Sequence, residues 1–190
     1  PVDGRPPGAD GREAGRAGDQ SGHSPPPATR IVAFRPAPCP NVDIWVDGSR
    51  LGNYGPAPGI QSAALRTGGH RFAYRPLTPN CYPEEWDETI PPGEGSYLLA
   101  RRLRLRPGSL TVDTGGVGAT VDILGRATGR ANVAIEVPFE AQDGIELTIR
   151  VVVTFPDHDP ARHDVVLRAG ESKTIRVEAP TPEQTAGDGG

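Results

Sequence analysis

Val42-Asp43-Ile44-Trp45-Val46-Asp47-Gly48-Ser49-Arg50-Leu51-Gly52 decides the fold. Apolar side chains at Val42, Ile44 and Val46 alternate with Asp43 and Trp45, Asp47-Gly48 supplies a tight turn, and a second glycine follows at Gly52. An alternating run that ends in Asp-Gly reads as a strand entering a β-hairpin. About 77 residues later, Ala119-Thr120-Val121-Asp122-Ile123-Leu124-Gly125-Arg126-Ala127-Thr128-Gly129 repeats the alternation and the glycine spacing, which marks tandem copies of one small unit.

The bulk composition agrees with short strands and many turns. The chain has 190 residues, only 5% aromatic, with 25 Gly and 22 Pro. Two β-domains of roughly 70–75 residues fit this length, each near the lower limit for a self-sufficient core. The net charge of −4 is mild and the basic residues are scattered. Nucleic-acid binding calls for a basic stripe with aromatics on it, and Arg101-Arg102-Leu103-Arg104-Leu105-Arg106 is the nearest approach. No nucleic-acid partner is therefore expected. No apolar run is long enough to span a bilayer, so no direct membrane insertion by this segment is expected either. Residue 1 is Pro rather than Met, and a longer parent chain is expected, with any anchor or export signal outside this segment.

Residues 1–30 hold almost no large apolar side chain and close on Pro25-Pro26-Pro27. They read as a disordered Pro/Gly-rich linker, because nothing there offsets the entropy of ordering. Residues 180–190 read as a disordered tail. Between them the expected modules are 31–107 and 108–179. In the first, strands are expected at Arg30 to Phe34, Val42 to Val46, Arg50 to Asn53, His70 to Arg75 and Tyr97 to Leu105, with a Pro-rich excursion from Pro76 to Pro92. In the second they are expected at Ser109 to Asp113, Thr120 to Leu124, Val133 to Val137, Ile145 to Thr154, Asp164 to Leu167 and Thr174 to Val177. Helical periodicity is absent, and the reading is all-β.

Each copy resembles the PEGA domain, a surface-associated β-module of bacteria and archaea. The resemblance rests on Val46-Asp47-Gly48 with Gly52, Gly68-Gly69-His70 before a strand, and Gly93-Glu94. In the second copy it rests on Gly118-Ala119-Thr120-Val121-Asp122-Ile123, Gly125 with Gly129, and Ala169-Gly170-Glu171-Ser172. The naming phrase departs from the pattern, as Cys39-Pro40-Asn41-Val42 and as Gly116-Val117-Gly118-Ala119. The resemblance implies two small Ig-like or transthyretin-like β-sandwich modules in tandem behind a linker. It also implies an extracytoplasmic place, periplasmic or at the cell surface, on surface proteins or on the far side of Ser/Thr kinases.

Cys39 and Cys81 both fall in the first copy. In an exported module they read as a structural disulfide, worth about 4 kcal/mol in the chain-entropy model; in a cytosolic protein they would be two thiols. Trp45 lies on the opposite strand face from Ile44 and Val46. It either stacks on a sugar ring or partner side chain, or lies under the Pro-rich excursion with Trp86 against it. Trp45, Tyr54 and Trp86 are the candidate ligand contacts. Asp157-His158-Asp159 with His163-Asp164 sits between strand signals and reads as a solvated hairpin loop, the alternative being a weak Ca²⁺ or Zn²⁺ site. Thr114-Gly115-Gly116-Val117-Gly118 reads as a backbone turn, since no helix follows to hold a phosphate. The acidic run Glu84, Glu85, Asp87 and Glu88 reads as a solvated rim.

No nucleophile constellation emerges, and no enzyme, cofactor or metal site is expected. The expected function is a non-enzymatic binding or spacer module of a larger bacterial protein, such as the sensor region of a Ser/Thr kinase. Its partner would be another protein or a cell-envelope polysaccharide. The alternative is a polysaccharide-binding accessory domain of a secreted hydrolase, working through Trp45 and Tyr54.

Overall fold

A computed structural model describes residues 28–56 and 59–180. The expected disorder of 1–30 and 180–190 lies outside the described residues except at 28–30 and 180, and Thr29 and Arg30 already belong to the first strand. The first copy contains β1 (Thr29–Ala37), β2 (Val42–Val46), β3 (Ser49–Tyr54), β4 (Ser62–Arg66), β5 (Gly68–Pro76), β6 (Glu84–Ile90) and β7 (Ser96–Arg102). They form an antiparallel sheet in the order β3-β2-β5-β6 and a second sheet β4-β1-β7, in which β1 runs antiparallel to β4 and parallel to β7.

The second copy contains β8 (Gly108–Asp113), β9 (Thr120–Ile123), β10 (Ala127–Arg130), β11 (Ile135–Val137), β12 (Glu146–Thr154), β13 (Ala161–Arg168) and β14 (Ser172–Arg176). Its sheets, β10-β9-β12-β13 and β11-β8-β14, repeat the first copy strand for strand, down to the parallel β8–β14 pair. The protein is all-β, with two tandem β-sandwich modules.

The two glycines of the repeated phrase do different jobs. The first turns the chain. In β2–β3 the loop has two residues, Asp47 and Gly48, with φ of 49° and 79°, the double positive φ of a type I′ turn that matches strand twist. Leu124 stands where Asp47 would, and leucine resists the left-handed region. The β9–β10 loop instead takes three residues, with Ile123 facing Ala127 and only Gly125 at positive φ, 75°. The second glycine makes room. A Cβ at Gly52 would lie 3.0 Å from Ile60 Cδ1, and one at Gly129 would lie 2.6 Å from Ile135 Cγ1. In each module an isoleucine crosses the backbone of the return strand at that point.

Alternation then fills each core. Ile44 and Val46 of β2 face Tyr74 and Phe72 of β5 across the sheet, and Val42, Ile44, Phe72 and Tyr74 are fully buried. In module 2, Val121 and Ile123 meet Val153 and Val151 in the same way. The nine-residue strand β12 carries Ile149, Val151 and Val153 inward, and Phe155 closes that core just beyond it.

The region 76–92 differs from the expected excursion. Residues Glu84–Ile90 form β6, in continuous register with β5 from Tyr74↔Glu84 to Gly68↔Ile90. Its inward positions are Glu84, Trp86, Glu88 and Ile90, so two carboxylates hide the alternation. Each carboxylate finds a donor on β7. Arg101 donates to Glu84 at 2.8 Å, and the Tyr97 hydroxyl donates to Glu88 at 3.0 Å. A charged edge strand of this kind resists pairing with other chains.

Cys39 and Cys81 form a disulfide, and both residues are buried. The bridge reaches the junction between modules. Cys81 forms a β-bridge with Leu105, Tyr82 N donates to Arg104 O, and Arg106 N donates to Asn80 O, the last two at 2.9 Å. The connection Arg106-Pro107-Gly108 is therefore zipped onto the Cys81 segment. Asn80 Nδ2 then donates to Ala169 O at 3.1 Å, and Gly170 N donates to Pro107 O at 3.2 Å, tying the β13–β14 turn to the same place. A Cβ at Gly170 would collide with the Pro79 carbonyl, and the residue has φ 72°. Only glycine fits this contact.

Candidate functional site

Trp45 stands on the outer face of the β3-β2-β5-β6 sheet, as the alternation of β2 requires. Its neighbours across the sheet are Arg50 on β3 and Ala73 on β5. The Arg75 guanidinium lies over the indole, 4.2 Å from the ring centroid, a close cation–π contact. An arginine of the neighbouring strand thus stands over the indole, and Trp86 packs against the module 1 core instead. Trp45 Nε1 is buried and has no hydrogen-bond partner in the protein.

Ion pairs frame this face. Arg50 grips both oxygens of Asp43, at 2.8 and 2.9 Å, and this bidentate contact holds the Asp43 carboxyl below its ordinary value. Arg71 reaches Glu85 at 2.6 Å. Fixed charges of both signs around one aromatic plane suit a polar ligand that stacks and hydrogen-bonds. They provide no nucleophile with an adjacent base.

The other candidate aromatics point inward. Tyr54 faces Val42 across β2–β3 and packs against the module 1 core. Trp86 stacks on Phe72 at 5.7 Å, meets Tyr74 edge-on at 4.9 Å, and receives Arg101 over its outer ring face at 5.0 Å. The structure does not bring Trp45, Tyr54 and Trp86 together on one surface.

A second polar cluster lies at the β2–β3 turn. His70 Nδ1 is 2.7 Å from Asp47 Oδ2 and its Nε2 is 2.8 Å from Arg66 O, while Arg71 N donates to Asp47 Oδ1 at 2.9 Å. Both ring nitrogens face acceptors, so the imidazolium satisfies them best. The bond to Asp47 raises the His70 pKa above its ordinary value, and the Arg71 amide followed by His70 lowers that of Asp47. The arrangement braces the turn. Nothing in the local sequence announces it, because Asp47 and His70 meet only through the β2–β5 pairing.

Module 2 has its own brace. Arg126 donates to both oxygens of Asp143, at 2.6 and 3.0 Å, and to Pro138 O at 3.1 Å, and Glu140 N also donates to Asp143. The Arg126 contact, more than the Glu140 amide, pulls the buried Asp143 carboxyl below its ordinary value. Asp157, His158 and Asp159 lie in the β12–β13 hairpin loop. Among the described residues no group of three His, Cys, Asp or Glu side chains is placed to hold a metal ion. Thr114 to Gly118 forms a turn locked by Asn132, which accepts from Thr114 N at 3.0 Å and donates to Thr114 Oγ1 at 2.9 Å.

No family model matches the chain, and no curated protein matches it. Among solved structures it is similar to the Bacillus anthracis TIE protein, at 11% identity and a TM-score of 0.40, over 80% of this chain and 34% of that one. The chain thus spans about a third of that protein's length.

Proposed function

We propose that this chain is a non-enzymatic, extracytoplasmic tandem module of a larger bacterial protein, of the PEGA-like kind its hairpin phrases resemble. It holds a binding face at a set distance and orientation from the rest of that protein, as in the sensor region of a Ser/Thr kinase. The observation that carries the reading is the junction. Two sandwiches of identical topology are joined by a connection hydrogen-bonded to Asn80 and, through it, to the disulfide segment. A freely jointed pair would transmit neither position nor force; a zipped one does. A buried disulfide in module 1 suits an oxidising compartment. The polysaccharide-binding alternative is the weaker, since Tyr54 and Trp86 serve the core and leave Trp45 alone on the open face.

Alkaline phosphatase fused after residue 180 within the parent protein tests the placement. The enzyme matures only outside the cytoplasm, so an active fusion is expected. A folded but inactive fusion, with Cys39 and Cys81 found as free thiols in the cell, overturns the reading.

A further inference from the structure

The run Arg102-Leu103-Arg104-Leu105-Arg106 is extended, and in an extended chain every second side chain shares a side. Leu103 and Leu105 turn into the module 1 core, which leaves Arg102, Arg104 and Arg106 in a row on the other side. Arg106 donates to Cys81 O at 3.2 Å, and both Arg104 and Arg106 lie against the Tyr82 ring, at 5.2 and 5.0 Å. Elsewhere Arg50, Arg71, Arg101, Arg126, Arg150 and Arg168 each reach a carboxylate. Arg102 and Arg104 reach none among the described residues.

These two guanidiniums border two adjoining hollows. One, of about 340 Å³, lies between the modules; the edge of the 102–105 run, with half-buried Leu105, lines it from one side, and Phe139 and Ala141 from the other. The second, of about 250 Å³, lies beside Tyr82 and Pro83. Of the carboxylates at their walls, Glu84 is paired with Arg101, while Glu140 accepts from the neutral Gln142 amide and keeps its charge. What remains is a mostly apolar slot whose rim carries two guanidiniums against one carboxylate, a local excess of positive charge in a chain whose net charge is −4.

We propose that this inter-module cleft is a binding site for a small amphipathic anion, a carboxylate, sulfate or phosphate carried on an apolar body. The apolar body enters between Leu105 and Phe139, and the anionic group meets Arg102 and Arg104. Hollows of this size accept a ligand of that scale, and guanidinium contacts to an oxyanion are among the stronger hydrogen bonds. The site is separate from the Trp45 face and does not depend on it.

Fluorescence titration of the whole chain with anilinonaphthalene sulfonate, an apolar aromatic bearing one anion, tests this. One saturable site is expected, with laurate displacing the probe and inorganic sulfate failing to do so. The double variant R102Q/R104Q is expected to bind about a hundredfold more weakly, the loss of two charge-assisted contacts. Ala141→Glu, which sets a carboxylate in the apolar half, is expected to abolish binding. The pair R66Q/R162Q, exposed arginines at strand ends away from the cleft, is expected to bind as the parent does, and all variants should keep the parental unfolding midpoint. The proposal is overturned by an absence of saturable binding, by equal affinity in R102Q/R104Q, by an equal loss in R66Q/R162Q, or by sulfate displacing the probe as well as laurate does.

Discussion

Single residues here do work that their type alone does not announce. Gly129 resembles a turn glycine, yet its role is to let Ile135 cross the β10 backbone. Gly129→Ala forces those atoms apart and should cost about 2 kcal/mol, the usual scale of overpacking. At Gly52 the crossing group is Ile60, which precedes β4 instead of belonging to it, so the same change there should cost less. Urea denaturation of the two variants would decide the order, and equal costs would contradict it. His70 offers a test by pH. Its folded pKa is raised above 6.5, so its contribution is complete below that value and disappears as pH rises through the folded pKa. The parent's unfolding midpoint should therefore fall over that window relative to His70→Gln. The partner Asp47, whose pKa is lowered from 3.8, contributes above that value and loses its share as pH falls through the folded pKa. Parallel pH profiles for parent and variant would rule out the imidazolium brace.

At the scale of elements, β6 and the disulfide carry module 1. Strand β6 brings Trp86 onto Phe72 and Tyr74, so Trp86→Ala should cost about 3 kcal/mol or more by the measure of other large core deletions. Trp45→Ala removes a surface cation–π contact and should cost about 1 kcal/mol. A clear ranking of the two by chemical denaturation is expected, and its reversal would place Trp45 in the core. The disulfide closes the long segment holding β2 to β5. Thiol titration of the unfolded, unreduced chain should find no free thiol. Replacing Cys39 and Cys81 by serine should remove about 4 kcal/mol from module 1 while module 2 keeps its own transition. One shared transition, lowered as a whole, would mean that the sandwiches do not unfold separately.

For the molecule as a whole, two complete cores predict that each module folds alone. Residues 108–179 expressed by themselves should give a cooperative transition, because Val121, Ile123, Val151, Val153 and Phe155 are buried within that sandwich. An unfolded fragment would show that module 1 completes its core. The junction sets orientation more than stability. Asn80→Ala removes the bond to Ala169 while leaving both cores intact, so it should widen the distribution of inter-module distances without moving either unfolding midpoint. Spin labels placed on the two modules would report that width, and an unchanged distribution would assign the orientation to the Pro107–Gly170 contact instead.

The sequence by itself determined the strand class, the hairpins and the two-copy plan, because period-two alternation and Asp-Gly chemistry act within a few residues of one another. It also placed Trp45 on the outer face, since parity along β2 follows from which residues must be buried. Tertiary structure alone decided what stands over that tryptophan. Arg75 arrives from a strand about thirty residues away in sequence, and only the β2–β5 register sets it there. The same holds for β6, whose inward Glu84 and Glu88 erase the local pattern and become acceptable only once Arg101 and Tyr97 of β7 lie opposite. It holds again at the junction, where Cys81, Leu105, Asn80 and Ala169 meet. Local sequence records which face a residue prefers; the partner that satisfies its charge or hydrogen bond is chosen by chain closure over long separations.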